Sequence, residues 1–118
     1  MSLVSFKDRL DRVRYRFVST LESKIDDAYE SISDLAEVAP SAATSVEQTY
    51  RSIHSVVGIG PTVGFPSTSK AARGVEEVLR GPYETQRGLS ADEILLLKRQ
   101  LHSLREAASR ELQFFYAH

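Results

Sequence analysis

His54 is the residue in this 118-residue chain whose type and setting best suit chemistry. An imidazole titrates near neutral pH and can serve as nucleophile or proton carrier. It stands inside an apolar helical pattern, with Arg51 one turn before it and Gly58 one turn after it. At i+4 the glycine sets no side chain beside the ring, which leaves the ring reachable. Other chemistries find less material. His102 and His118 are the remaining imidazoles, no two histidines stand four apart, and no glutamate precedes a histidine by three. A helical metal pair and the di-iron helix signature are therefore absent, and no metal site is expected. The neighbouring acids Asp26 and Asp27, Glu76 and Glu77, and Asp92 and Glu93 diverge by about 100° on a helix and do not face one another. Without cysteine, thiolate catalysis, disulfides and Cys-ligated metals are excluded. Gly58, Gly60 and Gly64 follow a helical pattern instead of a strand and lack a Gly-Lys-Ser/Thr ending, so they do not read as a phosphate loop. Glycine in a helix costs up to ~1 kcal/mol relative to alanine, so these positions imply that another backbone or surface approaches closely.

The elements that must position His54 all read as helices. Leu3, Phe6, Leu10, Val13, Phe17, Leu21, Ile25, Ala28, Ile32 and Leu35 recur at gaps of three or four, a helical stripe reaching towards Val38. As one rod this stripe would run about 54 Å at 1.5 Å per residue, long enough to predict a break near Arg14 to Arg16. Pro40 stops it, and Ser41 and Thr44 are the candidate caps of the next helix, with Thr44 and Glu47 spaced as a reciprocal capping box. Val46, Tyr50, Ile53 and Val57 give this second helix its buried side, and Pro61 predicts its kink or end. Phe65 to Ser67 reads as a short connection, Ala71 to Leu79 as a third helix stopped by Gly81 and Pro82, and 82–88 as a polar loop. Ser90 and Glu93 form a second capping box, flanked by Leu89 and Ile94 as a hydrophobic staple. A long last helix follows, with the stripe Ile94, Leu97, Leu101, Leu104, Ala108, Leu112 and Phe115. No strand alternation or internal repeat is present. The expected architecture is a single all-α domain over 1–118, an antiparallel up-down four-helix bundle with room for an extra N-terminal helical segment.

Composition narrows the function classes. At 42% hydrophobic and 26% charged, the chain is an ordinary globular sequence, and its net charge of -1 gives no field for a nucleic-acid backbone. The longest purely aliphatic run, Ile94 to Leu97, is far short of the ~20 residues of a membrane helix. Charges from Lys7 to Arg12 interrupt any signal-peptide core near Met1. A cytoplasmic protein without nucleic-acid or membrane partners is expected.

The segment from Tyr50 to Phe65 resembles the acceptor helix of histidine-containing phosphotransfer (HPt) domains, most closely that of chemotaxis-type histidine kinases. His54, Ser55, Val56, Gly58, Thr62, Gly64 and Phe65 carry the likeness. It extends over roughly residues 16 to 115, since the family has an acidic helix before this motif and two amphipathic helices after it. The resemblance implies that His54 accepts a phosphoryl group and that Glu76, on the following helix, bonds and orients its imidazole. Glu77 is the competing assignment at a slip of one residue. One position departs from the pattern: Val57 stands where the family usually has a lysine, and it cannot offer a charge-assisted hydrogen bond to phosphate. Arg51, Lys70 and Arg73 are the candidate replacement cations.

The family likeness further implies a relay component without kinase activity of its own, needing no cofactor. Its partner would be the receiver domain of a response regulator, which supplies its own magnesium, or a sensor histidine kinase. A monomer is expected, docking weakly and reversibly through the helix side around His54, Gly58 and Pro61. Two rivals remain. An HPt-like module could dock and modulate signalling without being phosphorylated, or a structural helical protein could use its stripes for self-assembly.

Overall fold

A computed structural model describes residues 3–117, and every regular element among them is an α-helix. The order is α1 (Leu3–Glu30), α2 (Ile32–Leu35), α3 (Ala42–Ile59), α4 (Pro66–Glu84) and α5 (Ala91–Ala117). Helix α4 lies between α3 and α5, its two principal neighbours, while α1 packs on α5 and α3 and the short α2 lies against α3. One core joins them. Phe17, Leu21 and Ile25 of α1 meet Val46, Ile53 and Val56 of α3, Ala72, Val75 and Leu79 of α4, and Leu97, Leu101 and Leu104 of α5. Burying each such Leu, Ile or Phe contributes roughly 1.5–3 kcal/mol, which no isolated amphipathic helix could collect.

Helix α1 has no break near Arg14 to Arg16; its 28 residues span about 42 Å. It ends at Glu30 instead of running towards Val38. At the break, the Ser31 hydroxyl donates back to the Ala28 carbonyl at 2.9 Å and lies 3.4 Å from the Thr49 hydroxyl of α3. After α2 the chain is extended at Ala36, where Glu37 N donates to Leu89 O and Leu89 N donates to Leu35 O. This isolated backbone pairing closes the end of the molecule and explains Gly88: a Cβ there would lie 2.5 Å from Glu37 Cα and 2.7 Å from the Ala42 methyl. Only glycine admits so close an approach.

The helix ends differ from the sequence expectations at three points. The Thr44–Glu47 capping box does not form, because α3 begins at Ala42 after Ser41 and Glu47 pairs with Arg51 instead. Pro66 is not in a connection but is the first residue of α4, where its missing amide hydrogen costs nothing. Pro82 does not stop α4, which runs on to Glu84. The carbonyls of Gly81 and Pro82 then accept from Thr85 N and Arg87 N, so the final turn is satisfied beyond the proline. Helix α4 also borrows its cap. Glu111 of α5 accepts from Ser67 N at 3.2 Å and from Thr68 N and Thr68 Oγ1 at 2.6 and 2.7 Å. A carboxylate at a helix N-terminus satisfies free amides and meets the positive end of the dipole. Pro61 coincides with termination: α3 stops at Ile59, and Gly60 flanks it.

At α5 the expected box is present. Glu93 N donates to Ser90 Oγ at 3.2 Å, and Ser90 N donates to Glu93 Oε1 at 2.9 Å. Leu89 is buried and Ile94 packs on the core beside it. Arg87 grips both oxygens of Glu93 at 2.7 and 3.1 Å. That bond, aided by Ser90 and opposed by burial, pulls the Glu93 carboxyl from 4.5 to about 2. Replacing Ser90→Ala should cost about 1 kcal/mol in urea unfolding. A folded value below the unfolded one means that Glu93 stabilises fully above its ordinary range and loses that contribution as pH falls through the folded value. The stability gap between wild type and Glu93→Gln should therefore narrow as pH drops from about 5 towards about 2.

Candidate functional site

His54 lies in the middle of α3, and the helix presents its ring outward: the side chain is 64% exposed. Ile53 and Val56, on either side of it in sequence, are fully buried, so the amphipathic pattern that fixes the core also fixes the outward direction of residue 54. Across the gap, α4 holds Glu76 with its side chain only 6% exposed. Glu76 Oε2 accepts from His54 Nδ1 at 2.5 Å. An ionised carboxylate can only accept, so against ionised Glu76 this contact selects the tautomer with its hydrogen on Nδ1, which leaves Nε2 as the free ring nitrogen. Glu77 faces away from the ring and pairs with Arg80 at 3.2 Å. Of the two adjacent acids, Glu76 is the one that reaches His54.

A carboxylate this buried must be partnered on both oxygens or lose its charge. The second partner is Arg80, whose guanidinium reaches Glu76 Oε1 at 3.4 Å. Arg80 is itself raised above its ordinary value, first by a hydrogen bond to Tyr50 and then by the charge of Glu77. Tyr50 stacks on the His54 ring with centroids 5.9 Å apart and on Tyr83 at 4.1 Å, both nearly parallel. The imidazole is thus held by a hydrogen bond on one edge and an aromatic face on another. Arg80 and Tyr83 carry no motif of their own. The available signals are spacing alone, Arg80 four residues after Glu76 and Tyr50 four before His54.

Gly58 and Gly60 divide the close-packing expectation between them. A Cβ at Gly60 would lie 2.9 Å from both Ser69 Cβ and the Val56 carbonyl, so this glycine lets α4 approach α3. At Gly58 a Cβ would meet nothing within 4 Å, and the position is exposed. Among the described residues, no neighbour requires a glycine beside His54.

The candidate cations separate as clearly. Arg51 is engaged with Glu47 at 2.8 Å on the exposed face of α3. Lys70 and Arg73 are exposed on α4 and make no ion pair among the described residues. Arg73 is the better placed of these two. It stands one turn before Glu76 and one turn after Ser69, whose hydroxyl donates to the Val57 carbonyl at 2.7 Å. That puts Arg73 between the Ser69–Val57 and Glu76–His54 contacts. Val57 itself belongs to the core. Lys24 of α1 approaches the motif from its other side, donating to Ser55 Oγ at 3.1 Å, and Ser55 Oγ donates to the Ser52 carbonyl at 2.7 Å. Thirty-one residues separate Lys24 from Ser55, so no local pattern announces the pair.

Of the other histidines, His102 pairs with Glu106 at 2.7 Å on exposed α5, and His118 lies outside the described residues. Among the described residues no three His, Cys, Asp or Glu side chains converge as a metal ion would need. No helix among them is long and apolar enough to cross a membrane. No protein-family model matches the chain, and no curated protein or solved structure matches it.

In nitrogen-15 NMR the neutral His54 ring should carry its hydrogen on Nδ1. In Glu76→Gln it should divide between the two tautomers. A wild-type ring protonated on Nε2 would show that the Glu76 bond does not form in solution.

Proposed function

We propose that the protein is a histidine phosphotransfer component of a two-component relay, with His54 as its phosphoryl-carrying residue. The observation that carries this reading is the exposed His54 ring held at Nδ1 by a buried Glu76. Helices α1, α3, α4 and α5 then serve as the rods of an up-down four-helix bundle that acts in the cytoplasm as a monomer.

The transfer step follows from the tautomer. The Nε2 lone pair attacks the phosphorus of an aspartyl phosphate on a receiver domain, and the P–N bond forms in line as the P–O bond to the aspartate breaks. The aspartate leaves as a carboxylate. The Nδ1 hydrogen stays with the ring, and the charge that develops on the imidazolium is offset by Glu76, which Arg80 in turn steadies. Transfer back to a second receiver reverses these steps. The receiver supplies its magnesium, and the chain described here supplies positioning. Arg73 takes the part of the missing lysine, reaching the phosphoryl oxygens from α4 while Gly58 leaves the approach open.

Val57 also favours a second reading. With the family's lysine position filled by a buried valine, the same surface could dock a receiver without accepting phosphate. Incubation with phosphorylated receiver domains separates the two. Relay predicts acid-labile label on wild type and none on His54→Gln, with Arg73→Ala slowing transfer by about tenfold, the equivalent of ~1.4 kcal/mol. Stoichiometric binding with no label on any receiver tested supports the docking module and ends the relay reading. Gly58→Ala gives an independent signature. It should stabilise the fold by up to ~1 kcal/mol, since nothing within the protein meets its Cβ, yet slow transfer by adding a methyl to the surface the receiver approaches.

A further inference from the structure

The first turns of α1 stand outside the core although their pattern is apolar. Phe6 is 63% exposed and Val13 44%, whereas Phe17, Leu21, Ile25 and Ala28 further along the same helix are buried. The stripe of α1 is therefore uncovered over its first part. Phe6, Leu10, Val13 and Phe17 step by four, three and four, the 3.5-residue repeat of a helix that pairs with another helix. Winding the sequence at about 100° per residue sets Lys7 and Arg14 along one edge of this seam and Arg9 and Arg16 along the other. Asp8 falls on the back, while Asp11 lies just beyond the Lys7–Arg14 edge and reaches Arg14 Nη1 at 3.5 Å. Arg9 and Arg16 make one edge wholly basic, and on the other Asp11 offsets Arg14 and leaves Lys7 as the unpaired cation.

The seam also faces a concavity. It continues the face through which Phe17 packs on Phe65, ring centroids 5.1 Å apart, so it looks past the end of the body. At its foot Arg14 Nε donates to the Val63 carbonyl at 3.1 Å and forms one wall of a groove of about 590 Å³. Val63, Phe65, Phe114 and Phe115 give this groove an apolar lining, with Arg110 and Glu111 beside it, Glu111 being engaged by the first turn of α4. Phe114 is 66% exposed.

We infer that the N-terminal turns of α1, with the groove at their foot, dock an amphipathic helix of another polypeptide whose apolar stripe is edged by carboxylates. Charge decides against a second copy, because parallel or antiparallel pairing of two such seams sets arginine and lysine edges against each other. Shape decides against a lipid surface, because an inward-facing seam above a groove admits a rod and not a flat sheet. An acidic helix meets both conditions, placing its stripe on Phe6, Leu10 and Val13 and its carboxylates on the basic edges. This inference is independent of the relay reading and uses none of the side chains to which that reading gives a part in transfer.

The test uses two fluorescein-labelled designed helical peptides with the same Leu/Ile seam, one edged by Glu and one by Lys. Anisotropy titration should show the Glu-edged peptide binding at least about tenfold more tightly than the Lys-edged one, and weakening as salt screens the edges. Leu10→Asp, at a position outside the core, should lose about tenfold or more while leaving the helical circular dichroism unchanged. The double variant Arg9→Glu, Arg16→Glu should invert the preference towards the Lys-edged peptide. Equal binding of the two peptides, binding of neither, or indifference to Leu10→Asp would overturn the inference. Partition onto phosphatidylserine-containing vesicles without peptide binding, or a dimer of the protein that Leu10→Asp dissolves, would overturn it in favour of the occupants rejected above.

Discussion

Burying one carboxylate is the constraint around which the exposed face of this protein is arranged. Glu76 sits in the contact between α3 and α4, where an unpaired charge would cost several kcal/mol. Each of its oxygens is therefore claimed, one by His54 and the other by Arg80, and Arg80 is drawn to Tyr50 and Glu77 as well. The imidazole is oriented because the acid beneath it needs a donor. This direction of dependence separates the pair from the exposed His102–Glu106 contact on α5, where both partners are solvated and neither fixes the other.

The body of the molecule supplies the distance over which that pairing works. Gly60 brings the end of α3 against Ser69, the Ser69 hydroxyl ties α4 to the Val57 carbonyl, and Glu111 of α5 anchors the first turn of α4. Helix α4 is thus located by bonds at its beginning, two turns before Glu76, and by Tyr83 against Tyr50 near its end. Between those points the buried faces of Ala72, Val75 and Leu79 leave it little freedom to rotate. Both sides of the His54–Glu76 pair therefore rest on helices, which position side chains more accurately than loops do.

Periodicity and punctuation made most of the helical layout legible. The stripes of α3, α4 and α5 and the Ser90–Glu93 box all follow from spacings of three and four. The sequence was less informative wherever a residue acts across helices. The Ser31 hydroxyl meets Thr49 of α3 where α1 ends, Glu47 turns to Arg51 instead of capping its own helix, and Glu111 caps a helix more than forty residues upstream. Pro82 is tolerated because only a final turn follows it, with its carbonyls served from beyond. In the site, Glu76 could be separated from Glu77 only by the rotation of α4 about its axis, which core packing sets. The exposed first turns of α1 show the converse limit: a seam of helical spacing declares that it can pair, but not whether its partner lies within the same chain.

The stack of Tyr83, Tyr50 and His54 has an optical consequence. The chain contains no tryptophan and five tyrosines, so its ultraviolet emission comes from phenol rings alone. Two of the five lie in this stack, one of them directly against the imidazole. A change of charge on that ring alters the quenching of its neighbour, so the fold carries an intrinsic fluorescent reporter on the state of residue 54, without a label or an engineered probe.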